Sequence, residues 1–211
     1  MDTDPDDGTD LERGHPPGSI QEEEARVTHL RASMARMVRT AASTALDLQT
    51  WTELVASLDP EARALAEADQ TLPDWVPVEA VMAWVAAFGR YSAQTTRGIS
   101  LADQLLDHAH PWIQRALDPS LAVEAMPRIF QHYHRGGVAR LEEVVPGRAL
   151  LDLWAFVPFP GWHDVFIPSI FLRALQRCGA TDVGVRLLPV AKTDPPFHHR
   201  YEMTWSTPVQ D

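Results

Sequence analysis

The chain has 211 residues, of which 45% are hydrophobic, enough to bury one substantial core without disulfides. Its only cysteine, Cys178, excludes an intramolecular disulfide and a multi-cysteine zinc site. A net charge of −11 provides no cationic surface for a phosphate backbone, so the composition argues against nucleic-acid binding.

The first eighteen residues form an acidic tail. Six aspartates and glutamates stand there against one arginine, among several prolines and glycines. Such a segment cannot bury enough apolar surface to fold, so we expect residues 1–18 to be disordered and residues 19–211 to form a single domain. No stretch approaches the roughly 18 apolar residues of a membrane span, and no signal peptide is evident. We therefore expect a cytoplasmic protein without membrane contact.

The first helix is predicted to begin at a capping box, Ser19 and Glu22, and to reach about Ala45. Apolar residues recur along it every seven positions, as Ile20, Val27, Met34, Ala41 and Leu48. This stripe has two interpretations: the helix packs on its own domain, or it forms a short dimerising coil.

Further helices are indicated by caps and prolines along the chain. Aspartate followed by proline starts a helix at Asp59 and again at Asp118, since the acid caps the helix and proline suits its first turn. The predicted segments are 51–58, one opening at 60, 78–96, 100–116 and 119–134. Pro127 is expected to divide the last of these, because the residue before a proline avoids helical dihedrals.

The last third of the chain has the pattern of an antiparallel sheet. Strands 138–144 and 148–157 can pair across Pro146-Gly147, a helix follows from Asp164 to Cys178, and two more strands complete a ββαββ order. In the final strand, residues 197–205, the odd positions are apolar or aromatic apart from His199, and the even ones are polar. This alternation predicts one buried and one wet face. We therefore predict an α+β fold, with the helical half (19–135) packed on one face of a four-stranded antiparallel sheet (136–206).

Four segments resemble those of an uncharacterised paralogous family abundant in myxobacteria, which is distantly similar to heme-nitric-oxide-binding and 4-vinyl-reductase-type ligand-sensing domains. They are Leu72-Pro73-Asp74-Trp75-Val76-Pro77, Ile129 to Gly137, Glu142 to Ala149 and Leu172 to Ala180. The resemblance covers roughly residues 46–206 and implies a fold and a sensory or regulatory role. It carries over no catalytic residue. The Tyr-x-Ser-x-Arg pattern of the heme-binding relatives does not occur here, and neither do cysteines near the last strand pair, so it implies no cofactor.

Motifs for catalysis or metal binding are missing from the sequence. His108 with His110, and His132 with His134, are two positions apart, a spacing that points side chains to different sides of a helix. His198 and His199 alternate across a strand, so no metal site is predicted. We find no HExxH motif, nucleophile elbow or phosphate-binding loop. His132 and His134 are predicted to interact as imidazolium with carbonyls at a helix end.

Aromatic residues fall where the helices and the sheet could meet. An apolar pocket there would bring together Trp84, Tyr91, Tyr133, Trp162 and His199, and aromatic walls with a few polar tips are typical of small-molecule sites. Aromatic side chains also fill ordinary cores, and His199 could equally be a satisfied core histidine.

Two functions from different classes follow from these observations. The first, carried largely by the resemblance, is a non-enzymatic regulatory or sensory module that binds a small apolar ligand between sheet and helices. The second is a scaffold or adaptor that acts through protein contacts or a homodimer, using the first helix and the acidic tail. An enzyme would require a polar cluster in the pocket, for instance His199 close to a carboxylate.

Overall fold

The computed structural model describes residues 20–68, 72–92, 106, 118–157, 162–192 and 194–207. The acidic tail and the predicted helix 100–116, apart from Leu106, lie outside them. Within this part of the chain, no helix is long and apolar enough to cross a membrane.

The predicted first helix is interrupted by a strand. Helix α1 covers Glu22–Ala25, strand β1 covers His29–Arg31, and α2 runs over Ala32–Ala45. Strand β1 pairs with two further strands and forms the centre of a small three-stranded sheet, which takes up its backbone hydrogen bonds. Val27 and Leu30 are fully buried in the domain core. The prediction of one continuous helix was therefore wrong. The N-terminal residues of its apolar stripe pack inside the domain core and are not available to a partner chain.

The next helices lie close to the predicted segments, and Asp59 caps one of them as predicted. They are α3 (Leu48–Ser57), α4 (Pro60–Glu67) and, after strand β2 (Trp75–Pro77), α5 (Val78–Ser92). The carboxylates of Asp47 and Asp59 accept hydrogen bonds from the backbone N–H groups of Thr50 and Ala62, both at 2.8 Å. Helices α2, α3, α4 and α5 pack on one another.

Helix α6 covers Pro119–Tyr133 and continues through Pro127. The predicted division of this segment was wrong. Val123, Met126 and Phe130 are buried on the same side of the helix, on both sides of the proline in sequence, and their packing outweighs the one lost backbone hydrogen bond. Asp118 caps the helix as predicted, through a 2.8 Å hydrogen bond from the Ser120 N–H.

The C-terminal half confirms the predicted sheet. After the short strand β3 (His134–Arg135), which joins the small sheet, come β4 (Val138–Val145), β5 (Arg148–Trp154), β6 (Thr181–Leu188) and β7 (His198–Ser206). These four pair antiparallel in the order β4-β5-β7-β6. Gly147 in the β4–β5 turn has a φ of 79°, which favours glycine. A π-helical segment (Trp162–Phe166) leads into α7 (Ile167–Arg177), so Asp164 lies inside the helical run and does not cap it.

The core face of the sheet is packed as predicted, but the opposite face is not fully wet. Leu151 and Leu153 of β5 and Tyr201 and Met203 of β7 are buried on the core face, under α6 and α7. On the other face Asp152, His198 and Glu202 are also buried. The guanidinium groups of Arg200 and Arg148 pair with the carboxylates of Asp152 and Glu202. The ring of His198 stacks on Trp154 at 4.7 Å, so these side chains shield one another from solvent.

Candidate functional site

A cavity of about 100 Å³ lies between the core face of the sheet and the helices. Its walls come from α2, α6, the π-helical segment, α7 and strands β4 and β5. The described lining residues are almost all apolar: Met34, Met37, Leu106, Ala122, Met126, Ile129, Phe130, Tyr133, His134, Ala139, Leu151, Leu153, Trp162, Phe166, Ile167, Ile170, Phe171 and Ala174. Apolar walls with a few polar groups are typical of small-molecule sites.

His134 is held in a defined orientation at the end of α6. Its backbone N–H caps the helix by donating to the carbonyl of Phe130, and its ring Nδ1 lies 2.8 Å from the same carbonyl. The ring also stacks on Phe130, with centroids 4.1 Å apart. Burial lowers the pKa of His134 to about 4, so the ring is neutral at pH 7. The predicted interaction with a helix-end carbonyl is present, but it is made by imidazole and not by imidazolium.

Trp162 enters the cavity wall from the π-helical segment. It is 1% exposed, and its ring stacks on Phe166 at 4.5 Å and meets His134 edge to face at 6.2 Å. Its indole Nε1 and the Nε2 of His134 are both buried without a hydrogen-bond partner. Buried polar atoms are nearly always paired, so these two nitrogens are exceptions among the described residues that line the cavity.

The five predicted site residues are distributed over several places. Tyr133 and Trp162 line the cavity. Trp84 is buried in α5 against Trp51, at 5.8 Å, and is not among the described residues that line the cavity. Tyr91 lies in the last turn of α5, and its side chain is outside the described part of the chain. Ligand contact by any of the five stays a prediction.

His199, the fifth of these residues, stacks on His163 instead of lining the cavity. The two rings are 3.5 Å apart, and the Tyr201 hydroxyl donates to the His163 carbonyl at 3.0 Å. Burial, and then the neighbouring histidine, lowers the pKa of His163 to about 3, and the pKa of His199 is lowered to about 4 by burial first and His198 second. Two stacked rings of this kind tolerate no protonation, because each added charge would be buried beside another imidazole.

Clusters for metal binding are absent from the described residues, where no three His, Cys, Asp or Glu side chains could hold one ion. The closest approach is the buried carboxylate of Asp152. It accepts from Arg200 through Nε at 2.7 Å and Nη2 at 2.5 Å, and His198 Nε2 lies 3.0 Å away. Arg200 and His198 both donate hydrogen bonds to this carboxylate. The cluster is therefore an ion-pair network and not a set of metal ligands.

Sequence reasoning missed His134 as a cavity residue, together with Met34 and Met37 of α2. The spacing predicts different directions for His132 and His134, and the structure has His132 exposed and His134 buried, but spacing could not show which ring faces the interior. A histidine directly after a buried Tyr133 and before a glycine pair was the available signal. Its placement depends on how α6 meets β3, which the local sequence does not specify.

Comparisons with known proteins give similarity at the level of structure. No protein-family model matches the chain, and no curated protein matches it. The Fe(II) unliganded H-NOX protein from K. algicida aligns with a TM-score of 0.61 at 8% identity, covering 86% of this chain and 100% of that one. A Cs H-NOX mutant with 4-cyano-L-phenylalanine at site 5 aligns with a TM-score of 0.61 at 10% identity, over 86% and 100%. An oxygen-binding H-NOX domain related to soluble guanylate cyclases gives 0.53 at 10% identity, over 85% and 94%. The chain therefore has the fold of H-NOX domains.

A heme group, which this fold suggests, does not fit the cavity. A void of about 150 Å³ holds one benzene ring. The present cavity is about 100 Å³, so a multi-ring macrocycle would have to displace its aromatic walls. No arginine or lysine is among the described lining residues to pair with heme carboxylates. His134 Nε2 is chemically suitable as an iron ligand, but it is fully buried and presents no open surface to the cavity.

Proposed function

We propose that this protein is a non-catalytic sensory module that binds a small apolar molecule in the cavity between α2, α6, α7 and the sheet. The observation that supports the proposal is the almost wholly apolar lining of this space between the sheet and the helices. The fold adds support, because one of the similar structures is of an oxygen-binding H-NOX domain. We further propose that residues 19–211 act as one domain in the cytoplasm, and that ligand occupancy regulates a partner.

A sensory role fits the polar groups of the cavity better than a catalytic one. Its described lining holds no carboxylate and no thiol, and His134 is a neutral ring locked onto a backbone carbonyl. Cys178 is buried elsewhere, and burial raises the pKa of its thiol, which makes it a weak nucleophile. Acid–base or nucleophilic chemistry would need a partner for His134 Nε2 other than the ligand.

The scaffold alternative loses one of its supports. The stripe proposed as a dimerising coil is split by β1, and Val27, Leu30 and Met37 are buried in the domain core. Removal of residues 1–45 would therefore destroy the small sheet. The fair test of the alternative removes only residues 1–18 and measures the oligomeric state.

Native mass spectrometry of the purified protein, compared with its denatured mass, tests the proposed function. We expect extra mass that is lost on denaturation, or binding of xenon to the refolded protein by xenon NMR. Ala174→Leu, which places a larger side chain in the cavity, should remove both signals. The same substitution at Ala87, which is buried outside the cavity, is the matched control. A bare mass together with no xenon binding would contradict the proposal.

A further inference from the structure

An open groove of about 420 Å³ adjoins the apolar cavity, and Met37 and Tyr133 line both spaces. Unlike the cavity, the groove has mostly polar walls, from the start of α2 and the end of α6. The polar side chains that line it, apart from Tyr133, are those of Arg31, Ser33, Arg36, Thr40 and His132. No acid is among its described lining residues, so the groove holds two guanidinium charges and no carboxylate.

The two arginines of the groove differ from others in the described part of the chain. Elsewhere arginines pair with aspartate or glutamate, as do Arg26, Arg148, Arg186 and Arg200. Arg31 and Arg36 form no ion pair with a described residue. In a chain of net charge −11, two neighbouring arginines without a carboxylate leave positive charge that a bound anion would balance.

Arg31 is held in place beside the groove. It is half-buried, its guanidinium lies over the ring of Trp75 at 5.3 Å, and its Nε is buried without a hydrogen-bond partner. Its charge reaches the groove, since the pKa of His132 is lowered by burial first and by Arg31 second. Arg31 is also the N-cap of α2, whose first turn has no acidic residue, and negative charge is favoured at such a helix end. The guanidinium is therefore positioned before any ligand binds.

We propose that the groove binds a small organic phosphate monoester, whose phosphate pairs with Arg31 and Arg36. Two guanidinium groups match a phosphate monoester, which carries about two negative charges at pH 7, and their donors fit its oxygens. The groove falls within the roughly 300–1,000 Å³ of small-molecule sites, so it has room for more than the phosphate. Met37 and Tyr133 provide an apolar wall for the organic part. This site is separate from the apolar cavity of the proposed function.

Calorimetric titration of the full chain at pH 7 with phenyl phosphate and with phenyl sulfate tests the proposal. The two esters have similar shapes, but the sulfate carries one negative charge and the phosphate about two. We expect phenyl phosphate to bind about tenfold or more tightly, because its extra charge faces two guanidinium groups. Arg36→Gln should weaken phenyl phosphate binding by about tenfold or more, since it removes charge-assisted hydrogen bonds. Arg128→Gln is the matched control: Arg128 is an exposed arginine of α6 outside the groove, and its loss changes the net charge equally.

Each other outcome overturns the proposal. Equal binding of the two esters would remove the assignment of a phosphate. Equal losses in Arg36→Gln and Arg128→Gln would show attraction by overall charge and not by the groove. Binding that appears only after removal of residues 1–18 would assign the groove to the acidic tail, and no binding in either form would leave the groove without a ligand. The proposed apolar site would stand in all these cases, because xenon binding and Ala174→Leu test it separately.

Discussion

Filling the cavity should stabilise the protein, which is unusual for a larger residue in a core. Ala174 lies in α7, is 4% exposed and lines the cavity. Leucine has nearly the helix propensity of alanine. A change in stability with Ala174→Leu therefore reports on the filling of the cavity and not on helix propensity. The extra carbons can enter the void instead of displacing neighbours.

Two estimates give a similar change in the free energy of unfolding for this substitution. At about 24 cal/mol per Å³, a void of about 100 Å³ costs about 2.4 kcal/mol in the free energy of unfolding. Leucine adds three carbons, worth about 0.8 kcal/mol each when buried, against a side-chain entropy cost of about 0.5–1 kcal/mol. We expect a net gain of about 1.5 kcal/mol, or an increase in Tm of about 3–6 °C.

Urea unfolding at pH 7 is the assay, on protein unfolded and refolded to remove any bound ligand. Ala87→Leu is the control, because Ala87 is fully buried in α5 and is not among the lining residues. Overpacking there should cost about 1–3 kcal/mol. If Ala174→Leu destabilises the protein as much as Ala87→Leu does, the void does not exist and the reasoning fails.

Three further predictions concern stability. Asp152→Asn should cost about 1.5–3 kcal/mol in urea unfolding, because the buried carboxylate accepts charge-assisted hydrogen bonds from Arg200 that the amide does not reproduce. Glu143→Gln, which breaks a half-exposed ion pair of the same sheet, should cost under about 1 kcal/mol, and similar costs for the two would refute this account. Acid should destabilise the protein, because three histidine pKa values are lower in the folded state than the unfolded value of about 6.5: those of His134, His163 and His199. Their contribution is complete above pH 6.5 and is lost as the pH falls towards about 4 and then 3, so a stability curve that is flat from pH 7 to pH 5 would contradict it. Gly136→Ala should be far more destabilising in thermal unfolding than Gly179→Ala, because both have φ above 80° but only the Cβ at Gly136 would meet a backbone oxygen, at 2.0 Å. Equal losses of Tm would show that φ strain alone decides.

The sequence by itself determined the elements whose signals are local. Caps at Asp59 and Asp118, the turn at Gly147 and the strict alternation of residues 197–205 each depend on a few neighbouring residues, and the structure has a helix, turn or strand at each of them. The ββαββ order and the placement of helices over one sheet face follow from these elements, since an alternating strand must bury its apolar side.

Only the tertiary structure decided where local preference yields to distant contacts. Strand β1 interrupts a helical pattern because β2 and β3 pair with it from far along the chain, and α6 passes through Pro127 because its buried face is held by the sheet. Asp152 is buried by Arg200 and His198 from another strand. The cavity also depends on tertiary packing: a void lined by His134 and Trp162 exists only when α6, α7 and the sheet are packed together.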